Sequence, residues 1–121
     1  MKKTLVLFIL TITMSSYAQL DKSNLIKPGV ISGKVIDQAT KESLPYVNII
    51  VRDMAKEIIT GGITGLDGKF KIKNIPEGNS ILEIQFIGYT TYSKKISVSS
   101  NNRKLNIGTI SLAISLTIIF T

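Results

Sequence analysis

From Val30 onward the chain alternates between oily and polar positions with a period of two, in short runs broken by turn signals. Lys69 to Lys73 is strict, with Phe70 and Ile72 on one side and three lysines on the other. Ser80 to Phe86 repeats the pattern, with Leu82, Ile84 and Phe86 sharing a face opposite Glu83 and Gln85. Alternation of this kind marks strands with one buried face. Five further runs complete the series. They are Val30 to Asp37, Tyr46 to Arg52, Glu57 to Thr64, Thr90 to Val98 and Leu105 to Leu112. No segment holds a helical period for three turns. Strands separated at intervals of about ten residues predict an all-β, seven-stranded sandwich of the Ig-like or transthyretin-like kind.

The punctuation between runs is specific. Gly65-Leu66-Asp67-Gly68 reads as a hairpin turn, with Gly68 supplying the positive φ that a tight turn needs. Pro76-Glu77-Gly78 reads as another turn. Pro45 suits the first position of a strand, where its missing N–H does little harm. Gly61-Gly62 weakens its strand and points to a bulge or an edge. An irregularity is expected at Gly108-Thr109, because Leu105 and Ile107 and then Ile110 and Leu112 all want the same face.

The first residues have another texture. Lys2 and Lys3 precede an uncharged apolar run from Thr4 to Met14, and Ser16-Tyr17-Ala18 places small residues at the cut positions of a signal peptide. The expected organisation is a signal peptide over residues 1–18, a linker over 19–29, a sandwich over 30–112 and an apolar tail over 113–121. Export to the periplasm or outer membrane follows. The apolar run is too short to span a bilayer well, so no transmembrane span is expected in the mature chain. Loss of Lys2 and Lys3 lowers the net charge from +7 to +5.

Composition then removes chemistry. The chain has no Cys, His or Trp. That excludes the usual zinc sites, the commonest haem ligand and His-activated nucleophiles. No disulfide supports the fold. The carboxylates fall mostly in turns, without the cleft that a pair of catalytic acids needs. Asp67 sits in a turn that lacks the remaining ligands of a calcium loop. Gly61, Gly62 and Gly65 are not followed by the Lys-Ser/Thr of a phosphate loop. No catalytic, metal or cofactor-binding residue is therefore assigned, and the chain reads as a non-enzyme. Lys69, Lys71 and Lys73, joined by Lys94, Lys95, Arg103 and Lys104, form a basic stripe that lacks the interleaved aromatics of a nucleic-acid surface. It reads as a solvated face, with an acidic protein or lipid headgroups as the other readings.

The ordered elements Gly33-Lys34-Val35, Asp37, Leu44-Pro45-Tyr46-Val47-Asn48, Thr64, Asp67-Gly68-Lys69-Phe70, Ile75-Pro76, Gly78 and Phe86-Ile87-Gly88-Tyr89 resemble the carboxypeptidase regulatory-like domain. This is the transthyretin-like sandwich found at the N-termini of TonB-dependent, SusC-like outer-membrane receptors of Bacteroidetes. The resemblance covers about Val30 to Leu112. It implies a non-catalytic accessory module on the periplasmic side, with a protein partner at the outer membrane such as the rest of a receptor or its energising complex. It brings no catalytic residues. The roles expected of the matching positions are structural. Gly33, Gly68, Gly78 and Gly88 serve backbone geometry, Pro45 opens a strand, Asp67 and Pro76 serve turns, and Phe70 and Phe86 fill the core. Asn48 bridges backbone groups, and the Tyr89 hydroxyl bonds to backbone at a sandwich corner. Because no plug or barrel follows within Thr121, the chain is expected to be either a stand-alone module or the N-terminal piece of an interrupted receptor gene. A free glycan-binding module is the alternative, with Tyr46, Tyr89 and Tyr92 as its plausible stacking residues.

Overall fold

The alternation resolves into seven strands in the computed structural model, which describes residues 27–116. They are β1 (Gly29–Asp37), β2 (Asn48–Arg52), β3 (Ile58–Ile63), β4 (Lys69–Ile75), β5 (Gly78–Gln85), β6 (Tyr92–Val98) and β7 (Lys104–Leu112). The proposed signal peptide and most of the linker lie outside the described residues, as do residues 117–121.

Two sheets pack face to face. One has the order β4-β1-β7, the other β3-β2-β5-β6. Every ladder is antiparallel except β1 with β7, which run parallel. The fold class read from the alternation is therefore the observed one, an all-β sandwich of seven strands. Ile31 and Val35 from the smaller sheet meet Ile49, Val51, Leu82 and Ile84 from the larger, all at most 1% exposed. Each such side chain contributes about 1.5–3 kcal/mol on burial.

Local geometry departs from the simplest reading in several places. The Asp67–Gly68 turn is tight, closed by Gly65 N–H donating to the Lys69 carbonyl at 2.9 Å. It does not make a hairpin ladder, because β3 and β4 belong to different sheets. The turn carries the chain from one layer to the other. Pro45 does not open a strand. It shares a turn with Tyr46, whose φ of 59° is unusual for a residue with a side chain, and β2 starts only at Asn48. Gly29, at the end of the expected linker, already belongs to β1. Phe86 lies one residue beyond β5. The irregularity near Gly108 is present as a register shift in the β1–β7 ladder between Ser32 and Lys34. Gly108, at φ 75°, takes up the extra residue, and Ile110 and Leu112 return to the core.

Candidate functional site

The C-terminal ends of β1, β3, β5 and β7 meet the start of β2 at one end of the sandwich. Asn48 pairs with both Ile63 and Gln85, and Asp37 pairs with Leu112. Tyr46 N–H donates to the Thr64 carbonyl at 3.0 Å. The segment after β7 stays at this end. Ala113 accepts from Thr90 N–H, Ser115 N–H donates to Gly88, and Ile114 bridges to Tyr89.

At the centre of this end a carboxylate meets a phenol. Asp37 is 6% exposed, and its Oδ2 accepts from the Tyr89 hydroxyl at 2.6 Å. Its Oδ1 accepts from the N–H groups of Ala39 and Thr40 at 2.8 and 2.9 Å. The Tyr89 hydroxyl first and then the Thr40 amide, with a lesser contribution from the Ala39 amide, hold the Asp37 carboxyl below its ordinary value against the opposing effect of burial. The same bond pushes the Tyr89 phenol up. The Tyr89 ring stacks on Phe86 at 5.6 Å between centroids. The site is thus locked, with both carboxylate oxygens already occupied. Among the described residues no three carboxylates gather where they would hold a metal ion.

Around this locked centre several large apolar side chains are exposed beside the polar residues of the β1–β2 loop. Tyr46, Ile63, Leu66, Ile87, Ile114 and Leu116 all belong to this end and are 57–91% exposed, Ile87 the most. Isolated exposed hydrophobics are ordinary, whereas here six belong to one end of the sandwich. Tyr46 is held in the left-handed region, an uncommon conformation for a tyrosine, and it presents its ring outward.

The residues singled out from sequence are spread over the fold. Phe70 is buried in the core. Gly33 lies within β1, where a Cβ would come within 2.8 Å of the Phe70 ring and 3.0 Å of the Gly108 carbonyl. Its need is space rather than a turn. Gly68 has φ 75°, and its carbonyl accepts from Val35 N–H at 2.8 Å. Asp67 Oδ1 accepts from Lys69 N–H at 3.0 Å. Pro76 sits in the β4–β5 turn, Gly78 opens β5, and Gly88 stands in the loop that leads to Tyr89.

Three expectations need correction. Asn48 is exposed, and no hydrogen bond ties its side chain to backbone. The bridging belongs to Thr64, 1% exposed, whose Oγ1 donates to the Leu44 carbonyl at 2.7 Å and accepts from Val47 N–H at 2.9 Å. Thr64 stood in the sequence pattern, but a threonine after a strand gives no signal of what it will bridge. Phe86 is half-buried and does not fill the core: it lies one residue beyond β5, packs against the margin of the core and stacks on Tyr89. Tyr89 bonds to a side-chain carboxylate and not to backbone. The three tyrosines do not make a common platform, since Tyr89 is engaged with Phe86 and Asp37 and Tyr92 is half-buried against the core.

A model of the family described as "CarboxypepD_reg-like domain" matches residues 31–118. TonB-dependent receptor P3 of Formosa agariphila is 29% identical over 96 residues, which are 79% of this chain and 8% of that receptor. The chain thus spans under a tenth of the length of that relative. Among solved structures, BcpA, the major pilin subunit of Bacillus cereus, superposes with a TM-score of 0.62 at 20% identity, over 74% of this chain and 31% of that one. The 5-hydroxyisourate hydrolase of Klebsiella pneumoniae gives 0.56 at 14% identity, over 72% of this chain and 91% of that one. At such identities the likeness to the pilin and the hydrolase concerns the sandwich alone.

Proposed function

The chain belongs to the CarboxypepD_reg-like domain family, and from that premise we propose that it is a non-catalytic docking module of a TonB-dependent outer-membrane uptake receptor. In this reading it is exported by its N-terminal signal, works on the periplasmic side, and is the N-terminal piece of such a receptor or a remnant of one. The receptor relative, which this chain matches over a small share of its length, supports the assignment to a larger assembly.

The observation that carries the reading is the apolar end built on Asp37 and Tyr89. Its exposed side chains surround a centre whose polar groups are already paired, so the surface is suited to burying area against a protein and poorly suited to reacting with anything. A photo-cross-linking residue at Leu66 or Ile87, introduced into the full chain in its own cells, tests this. The expected product is a cross-link to an outer-membrane receptor identified by mass spectrometry, with a matched probe at Lys71 giving none. Equal cross-linking from Lys71, or recovery of the chain in the cytoplasmic fraction with residues 1–18 attached, overturns the reading. Sequencing DNA beyond the codon for Thr121 separates a remnant from a free-standing module. A plug and barrel encoded in another frame supports the former.

A further inference from the structure

The outer face of the smaller sheet carries lysines in a grid. Lys69, Lys71 and Lys73 alternate outward along β4, Lys34 stands on β1, and Lys104 stands on β7. Register places Lys34 directly opposite Lys69 in the antiparallel β1–β4 ladder, Ser32 between Lys71 and Asn106, and Val30 beside Lys104. Rows repeat about every 6.6–6.8 Å along the strands, and strands lie about 4.8 Å apart. No carboxylate shares this face. Within the strands the acidic residues are Asp37, buried at the end of β1, and Glu83 on the other sheet, which pairs with Arg52 at 3.1 Å; the other described carboxylates lie in the connections. Among the described residues that is the one ion pair, so the lysine grid is uncompensated.

Like charges placed opposite each other across a ladder are destabilising. Lysines on an edge strand are accounted for by protection of the edge, and that covers β4. It does not cover Lys34, which stands on the central strand and faces Lys69. A cost retained away from any edge points to a partner that relieves it.

We propose that this face rests on the anionic headgroups of a lipid bilayer. Protein partners are the poorer fit, because interface centres are depleted in lysine and anchored by aromatic residues or arginine, and this face has neither. Single-stranded nucleic acid wants aromatic stacking platforms, which are also missing. A flat array of flexible ammonium groups with Ser32 and Asn106 between them meets what a polybasic membrane contact requires. The proposal deepens the receptor reading by giving the module a second contact at the membrane, and it rests on that reading only for where the domain works.

The test is vesicle co-sedimentation of the full chain with phosphatidylcholine vesicles, with and without phosphatidylglycerol. Binding is expected only with phosphatidylglycerol, and it should weaken as salt is raised. The variant K34Q/K69Q/K71Q/K104Q should lose affinity on the order of fivefold per lysine removed. A control that removes charge away from this face, K41Q/K56Q, should lose far less per lysine, with circular dichroism melts confirming that both are folded. Equal losses per lysine in the two variants, binding to phosphatidylcholine alone, or no binding overturns the proposal. Binding to polyglutamate but not to vesicles, lost only in the first variant, also overturns it and assigns the face to an acidic protein. Failure of the receptor cross-link leaves these outcomes unaffected.

Discussion

Two buried hydroxyls of nearly equal burial do opposite things. Thr64 satisfies a backbone carbonyl and a backbone N–H that no strand pairs, and thereby fastens the β1–β2 loop to the end of β3. Ser80, also 1% exposed, faces the core from β5 with no partner for its Oγ. Thr64→Val keeps the shape and strands both backbone groups, so it should cost about 1–3 kcal/mol. Ser80→Ala removes an unpaired polar atom and should stabilise by up to about 1 kcal/mol. Urea titrations of the two variants check both signs. The Asp37–Tyr89 bond adds a pH signature. A lowered Asp37 pKa means stability that is present above the ordinary carboxylate value of 3.8 and lost as pH falls through the lowered one. A raised Tyr89 pKa means stability that is present below 10.0 and lost as pH rises through the raised one. The gap in urea midpoint between the parent and Tyr89→Phe should be flat across neutral pH. It should close toward both extremes, and a gap independent of pH throughout would separate the bond from the titration of either group.

The strands themselves were legible because each records its buried face locally, as Phe70 and Ile72 do in β4 and Leu82 and Ile84 in β5. Pairing was not, because it joins positions far apart along the chain. Nothing near Asp67 says that its turn changes sheets, and nothing in β1 or β7 says that they lie parallel. The family likeness, carried by glycines, prolines and Tyr89, placed the turns. The apolar end was hidden because its residues come from loops that alternation does not describe. Edge protection is also visible only in the assembled sheets. β4 carries its lysines, β7 its bulge, and β6 turns Lys94 toward the inner face opposite Leu82. The remaining edge, β3, reads Ile-Ile-Thr-Gly-Gly-Ile with no charge, and Ile58 is 62% exposed. Such an edge invites pairing with another chain. Ile58→Glu places a charge there opposite Arg52, its ladder partner. Stability should change by no more than about 0.5 kcal/mol, while the onset of light scattering on heating moves upward. An unchanged onset would locate the aggregation-prone surface elsewhere.

The sandwich is closed by the first and last of its described strands. β1 sits in the middle of the smaller sheet, held on one side by β4 and on the other by β7, the last strand among the described residues. One side of β1's ladder is therefore formed only when β7, about seventy residues later in the chain, arrives, a long-range pairing of the kind that makes folding slow. β7 also supplies Ile110 and Leu112, at 5% and 2% exposure, and the half-buried Leu105 and Ile107. Two buried side chains at about 1.5–3 kcal/mol each, with smaller contributions from the other two, come to roughly 5–9 kcal/mol. That is comparable to the entire stability of a domain of this size, about 5–15 kcal/mol. A chain ending at Val98 should therefore show no cooperative melt. A chain ending at Leu112 should keep one, since it retains all seven described strands and gives up the bonds of Ala113, Ile114 and Ser115 to the Gly88–Thr90 segment among the described residues. Circular dichroism melts of the two truncations decide the matter. A cooperative transition in the shorter chain would mean that β1 is secured by β4 alone, and that the parallel pair is an addition to the fold rather than its closure.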